Sequence, residues 1–207
     1  MVQPAAKPEG DVPLRMGEER AADFAAQFQS SFRVLWLIAV GIIGDASLAE
    51  DVVQEAAIIA LGKLDQFRTG TNFTAWTGQI VRNVARNRAR RERRHRATVT
   101  DPSAIDQQPS SLGPTLEAPR HGIAPGGAEE RRPLDGRLLQ ALGDVGEVAR
   151  ACLLLRTLEG LEYAEISRLL EIPEGTAMSH VHRTRRYLRD RLADVWEERT
   201  GRPVEGA

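Results

Sequence analysis

Between residues 97 and 134 the chain carries Pro102, Pro109, Pro114, Pro119, Pro125 and Pro133, with Ser110-Ser111 and Gly126-Gly127, and no apolar periodicity survives there. Proline fixes φ and lacks the N–H that helix and sheet ladders use, so this block reads as a linker or mobile loop. It divides the 207 residues into 18–96 and 135–195, flanked by a disordered N-terminal tail over 1–17 and a C-terminal tail over 196–207. Both halves are short and rich in Ala, Leu and Arg, without the alternating β-branched runs of strands. The expected fold class is therefore all-α, with two small helical domains joined by a flexible linker. No repeat of fixed period relates the halves.

In the first half, Phe24, Phe28, Phe32, Leu35, Ala39 and Ile42 recur at spacings of three and four, which makes Ala22–Ile42 one amphipathic helix. Gly44-Asp45 breaks it, and Ser47 with Glu50 three residues on has the form of a capping box for the next helix. That helix turns Val52, Val53, Ala56, Ala57, Ile59, Ala60, Lys63 and Leu64 inward and leaves Glu50, Asp51, Gln54 and Glu55 exposed. A polar loop from Phe67 to Thr74 follows. Trp76, Ile80 and Val84 then begin a helix that runs into an arginine block.

The formal net charge of −1 conceals strong segregation. Gly44–Gln66 has five acids and one base, net −4, and 97–135 has six acids and three bases, net −3. Ile80–Ala97 has eight arginines and one acid, net +7, and Thr176–Leu192 has five arginines and one acid, net +4. Basic blocks this dense are the electrostatic footprint of nucleic-acid binding, and arginine suits bidentate phosphate contact better than lysine.

In the second half, Tyr163–Leu170 is a short helix with Ile166, Leu169 and Leu170 inward. Glu171–Gly175 is a tight connection that Pro173 and Gly175 keep from continuing the helix, and a second helix capped by Thr176 runs to Leu192. Length and pattern are those of a helix-turn-helix. Ser179, His180 and Arg183 lie near the start of its second helix, where a major groove would meet them, with Arg185, Arg186 and Arg189 behind for phosphates.

Several classes are set aside. The longest uncharged apolar run, Val34–Ile43, is too short to span a bilayer, which argues against membrane insertion. Met1–Met16 lacks the apolar stretch of a signal peptide. The single cysteine, Cys152, allows no internal disulfide and no cysteine-based zinc site, consistent with a cytoplasmic protein. With no phosphate-binding loop, metal-ligand cluster or nucleophile motif, no enzyme, small-molecule substrate, metal or cofactor is expected.

Ala49–Glu55 (AEDVVQE), Phe67-Arg68, Phe73–Trp76 (FTAW) and Ile80–Asn83 (IVRN) resemble the second conserved region of bacterial sigma-70-family sigma factors. Leu158–Ile166 (LEGLEYAEI), Ile172–Thr176 (IPEGT) and His182-Arg183 resemble the fourth. The resemblance covers roughly two thirds of the chain, in the right order. With only a linker between, it is closest to the extracytoplasmic-function (ECF) group. It implies docking of Asp51, Gln54 and Glu55 on the β′ clamp helices of core RNA polymerase, with further contacts to the β subunit. It implies minus-10 promoter contacts by Arg68, Thr69, Thr71, Asn72, Phe73, Arg82, Asn83, Arg86, Asn87, Arg90, Arg91 and Arg94. It implies minus-35 contacts by Thr176, Ser179, His180, Arg183, Arg185 and Arg186, and an anti-sigma factor as a further partner.

The residue chemistry agrees with these roles. Carboxylates at i and i+4 repel unless a basic surface faces them. A flipped base needs amide and hydroxyl groups beside an aromatic wall, which the 68–74 loop contains. Glu171 stands where the family commonly has glycine, at a cost of up to about 1 kcal/mol if the backbone there is left-handed. Promoter elements about 25 base pairs apart lie roughly 80 Å apart. A 38-residue linker averages roughly 35 Å as a coil but stretches to about 125 Å. The alternative is an autonomous helix-turn-helix regulator that binds duplex DNA without polymerase. Such a protein needs neither the acidic helix nor the 68–74 loop.

Overall fold

A computed structural model of the protein describes residues 12–99 and 136–193. Every regular element among them is helical: α1 (Val12–Ile43), α2 (Ala46–Gly62), a 3-10 turn (Leu64–Gln66), α3 (Phe73–Val99), α4 (Gly136–Gly143), α5 (Glu147–Leu158), α6 (Tyr163–Leu170) and α7 (Glu174–Arg191). Nearly all of the proline-rich block, and the C-terminal tail, lie outside the described residues. The helix α1 starts at Val12, inside the segment read from sequence as a tail. Pro13 falls in its first turn, where a missing N–H has no intrahelical partner to lose.

Local signals set the helix ends. Gly44, at φ +81, turns the chain out of α1. The cap of α2 is Asp45 rather than the expected Ser47: its carboxylate accepts from the N–H groups of Ser47 (2.9 Å) and Leu48 (3.0 Å). An acid at that position also meets the positive end of the helix, and such a cap contributes about 1 kcal/mol. At the start of α3, Asn72 caps in the same way, accepting from Ala75 N–H at 2.9 Å. Helix α6 carries a capping box formed by Glu162 and Glu165. Helix α7 begins at Glu174 after Pro173, so Thr176 is its third residue and not its cap.

One apolar interior runs through both halves of the sequence. Leu35, Ile38, Ala39 and Ile42 of α1 meet Val52, Val53 and Ala56 of α2, Val81 and Ala85 of α3, and Ala151, Cys152 and Leu155 of α5. Ile166, Leu169 and Leu170 of α6 and Ala177 and Val181 of α7 extend the same cluster. A smaller aromatic cluster gathers Phe24, Phe73, Phe67 and Trp76. Lys63, expected inward, is exposed at the end of α2, where its charge stays solvated. The helical stretch Glu19–Ile43 contains an 18-residue window of mean hydropathy 1.4, long and apolar enough to cross a membrane. Half of that window is buried within the fold, and the helix serves as the central core helix.

The two halves meet where α1 crosses α5. Gly41 makes this approach possible: a Cβ there would stand 2.5 Å from the Ala151 Cβ and 2.6 Å from its Cα. Beside it the buried Arg150 guanidinium donates to the carbonyls of Gly41 (2.8 Å), Ile42 (3.3 Å), Leu142 (3.0 Å) and Val145 (3.3 Å). A cation at the C-terminal ends of α1 and α4 satisfies carbonyls that the helices leave open. Burial pushes the Arg150 pKa down, opposed by Glu147. Arg33 pairs with Glu159, and Arg93 with Glu147 at 2.8 Å, across the same boundary.

Burial in this interior pushes the Cys152 thiol up to about 11. The folded state thus favours the neutral thiol, and that contribution to stability is complete below the ordinary value near 9 and is lost as pH rises through about 11. Native protein at pH 8 is therefore expected to resist thiol-specific alkylation, while protein in denaturant reacts at once. Equal rates would place Cys152 outside the core.

Candidate nucleic-acid and protein interfaces

The outer face of α2 presents Asp51, Gln54 and Glu55, all exposed. The same face carries two residues that the sequence reading left out, Ile58 (74% exposed) and Leu61 (49% exposed). They follow Gln54 at i+4 and i+7, a spacing visible in the sequence but hidden by the surrounding apolar run. An acidic, amide-bearing turn followed by two bare aliphatic side chains makes a surface with both charge and apolar area to offer a protein partner.

After α2, Arg68, Thr69, Thr71 and Asn72 are exposed in the loop before α3. Thr71 closes the turn, its hydroxyl donating to the Arg68 carbonyl at 2.7 Å. Phe73, expected to offer a wall to a flipped base, is instead buried. Its ring stands 5.6 Å from Phe24, 5.5 Å from Phe67 and 5.9 Å from Trp76. The cluster anchors the loop, because an aromatic at the first residue of α3 turns in toward α1. Trp76, half-buried against Phe67 at 5.1 Å, belongs to the same anchor.

Along α3, Asn83, Arg86, Asn87, Arg90, Arg91 and Arg94 are exposed and form one polar surface continuous with the loop. Arg82 is the exception. It is 2% exposed, and its Nη2 lies 2.6 Å from a Glu171 carboxylate oxygen at the end of α6. It stands one turn beyond Gly78, whose missing side chain leaves room for Ile38 and Leu169, and so it faces α6 instead of solvent. Burial lowers its pKa, Glu171 opposes that effect, and Arg86 adds to it. The loop also lies beneath α6: Asn72, Thr74 and Ala75 share a cleft of about 160 Å³ with Glu165 and Arg168.

In the helix-turn-helix, α6 ends on Glu171 in the left-handed conformation, φ 54° and ψ 48°. That turn lets the Ile172 N–H reach back to the Ser167 carbonyl at 3.2 Å. On α7, Ser179, Arg183 and Arg186 share an exposed face at i, i+4 and i+7. The Ser179 hydroxyl is engaged with the Gly175 carbonyl at 2.7 Å, and Arg183 Nε donates to the Ser179 carbonyl at 3.3 Å. Arg185 is exposed on the adjoining flank. Thr176 and His180 are half-buried, one turn apart beside the buried Ala177, Val181 and Thr184, so they flank the groove-facing surface rather than lead it. Burial, and then Arg183, hold the His180 pKa below the usual imidazole value, so this side chain is neutral near pH 7.

Residues 28–95 match the family description Sigma-70 region 2, and residues 135–188 match Sigma-70, region 4. The RNA polymerase sigma-H factor of Pseudomonas aeruginosa is 29% identical over 187 residues, 89% of this chain and 93% of that protein. The ECF RNA polymerase sigma-E factor of Escherichia coli K12 is 34% identical over 135 residues, 65% and 69% of the two chains. Among solved structures, the sigma factor RpoE in complex with the anti-sigma factor NepR from Bartonella quintana superposes with a TM-score of 0.56 at 23% identity, covering 82% of this chain and 96% of that one. CnrH in complex with the cytosolic domain of CnrY gives 0.53 at 19% identity, covering 85% and 94%. At those identities the structural matches establish the fold. Proteins of this family are not enzymes as a rule. The match joins the helix-turn-helix to the acidic helix and the 68–74 loop, neither of which an autonomous helix-turn-helix regulator would require, and so the chain belongs to the sigma-70 family, in its extracytoplasmic-function group, as a sigma factor that binds core RNA polymerase and directs it to promoters.

Proposed function

We propose that three surfaces of this sigma factor divide recognition among them. The α2 face of Asp51, Gln54, Glu55, Ile58 and Leu61 docks on the β′ clamp helices. The loop Arg68–Asn72 and the α3 surface from Asn83 to Arg94 engage the minus-10 element as it melts. The α7 face of Ser179, Arg183 and Arg186, with Arg185 beside it, reads the minus-35 element, and the second half also contacts the β subunit. The NepR and CnrY complexes support an anti-sigma factor as a further partner, and the protein acts in the cytoplasm.

The observation that carries this reading is the exposure of Ile58 beside Asp51 and Glu55 on a helix whose other face is fully packed. Ile58 and Leu61, bare and one turn apart beside the acidic residues, give this face an apolar centre with a charged rim, the make-up of a protein contact. A photo-cross-linking residue at position 58 is expected to attach to the β′ clamp helices in the holoenzyme. Attachment to another subunit would move the docking face.

For the recognition helix, Arg183→Ala is expected to weaken minus-35 recognition by about 1–3 kcal/mol, concentrated at one or two base positions. Initiation measured on a promoter library reads this directly. Uniform weakening across sequences would make Arg183 a phosphate contact instead.

A further inference from the structure

We propose that the Glu171–Arg82 pair is a lock between the two halves of the chain, in which the carboxylate occupies a guanidinium that promoter DNA would otherwise claim. This rests on the reading of α3 as a minus-10 surface.

Among the described residues, Glu171 alone has a positive φ without being glycine. Glycine would sit there without strain, so a glutamate at this point is explained by what its side chain reaches. It reaches Arg82, at 2.6 Å, with the Arg82 side chain 3% exposed and Glu171 57% exposed. The Arg82 Nη1 is also buried and has no hydrogen-bond partner. A buried guanidinium with one of its three nitrogens left without a partner is costly unless the opposing charge is in place, which makes Arg82 dependent on Glu171 for its position.

Arg82 is also the first member of a row. Arg82, Arg86 and Arg90 follow one another at i, i+4 and i+8 along α3, and the second and third are exposed. Were α6 lifted from α3, Arg82 would join that row and add a phosphate-binding fork at its head. While α6 stays in place, the carboxylate serves as an internal stand-in for a phosphate oxygen. The helix that Glu171 ends, α6, shares a cleft with the 68–74 loop through Glu165 and Arg168, so the pair fastens α6 close to that loop. The two states therefore exclude one another at a single side chain: closed with Glu171, or open with DNA.

The test uses the full chain with Glu171→Gly, which removes the carboxylate and suits the left-handed backbone, and Glu171→Gln, which keeps the length and removes the charge. Hydrogen exchange over residues 78–86 reports closure, and fluorescence anisotropy with a labelled single-stranded oligothymidylate reports access to the arginine row. Both variants are expected to exchange faster over 78–86. Both are expected to bind the oligonucleotide roughly tenfold more tightly, with a salt dependence steeper by about one counterion, and adding Arg82→Ala should abolish that gain. Unchanged exchange in both variants would overturn the lock. Faster exchange without tighter binding would overturn the competition, by showing that Arg82, once free, does not serve the DNA surface.

Discussion

Asp51→Arg is expected to abolish stable association with core RNA polymerase while leaving the fold intact. Asp51 is exposed, and its replacement turns an i, i+4 repulsion with Glu55 into an attraction, so the helix itself gains slightly. Loss of association then reports on the interface alone. Reversing one charge at a complementary contact and leaving its partner unpaired costs about 2–5 kcal/mol, which takes a nanomolar complex out of reach of a pull-down. Ile58→Asp should act in the same direction, by about 1–2 kcal/mol, because it places a charge where apolar area has to be covered. Its stability should hardly change, since the side chain is 74% exposed. Competition against wild-type protein for limiting core measures both. Full association of Asp51→Arg would mean that this face does not meet polymerase.

Gly41→Leu is expected to force the halves apart. Helix propensity predicts the opposite, because replacing a glycine within a helix, even in its last turn, normally gains several tenths of a kcal/mol. The structure overrides propensity: a Cβ at this position would lie 2.5 Å from the Ala151 Cβ and 2.9 Å from its backbone nitrogen, so α5 as a whole has to move. Overpacking of this kind costs about 1–3 kcal/mol, and the Gly41 carbonyl leaves Arg150 as the helices separate. The packing of α1 on α2 and α3 does not run through the Gly41–Ala151 contact and should persist. The expected result is an increased radius of gyration in small-angle scattering with helical content retained. Gly41→Ala should show a smaller change of the same sign. A raised melting temperature for either variant, with unchanged dimensions, would mean that α1 and α5 do not meet at Gly41.

The helix-turn-helix and the acidic helix were legible in the sequence because their signals are local. Pro173 and Gly175 stop α6, apolar residues recur at three and four, and acids cluster on one arc of α2. Ser47 and Glu50 have the spacing of a capping box, yet Asp45 stands two residues earlier at the actual break and takes the N–H groups of Ser47 and Leu48. The resemblance of Phe73–Trp76 and Ile80–Asn83 to the second conserved region implies DNA contacts by Phe73 and Arg82, which the fold buries. Their burial depends on α6 and α1, remote in sequence, and no local pattern encodes such a partner. The exposure of Ile58 and Leu61 is hidden for the reverse reason: in an apolar run the residues that stay outside look like those that go in. The meeting of the two halves was equally hidden, since it turns on one glycine in α1 and one alanine in α5.

Arg150 bears on how separation would proceed. Its single guanidinium is tied to α1, to α4 and to the turn after α4, so bonds to three segments depend on one side chain. As α5 moves away from α1, the side chain cannot follow one set of carbonyls without abandoning another, and intermediate positions leave both sets unpaired in a dry environment. Opening at this seam should accordingly be an all-or-none event with a threshold, in which a partner either supplies enough binding to release the seam or changes nothing. A sigma factor joined in this way would respond to its partners as a switch, with no graded intermediate.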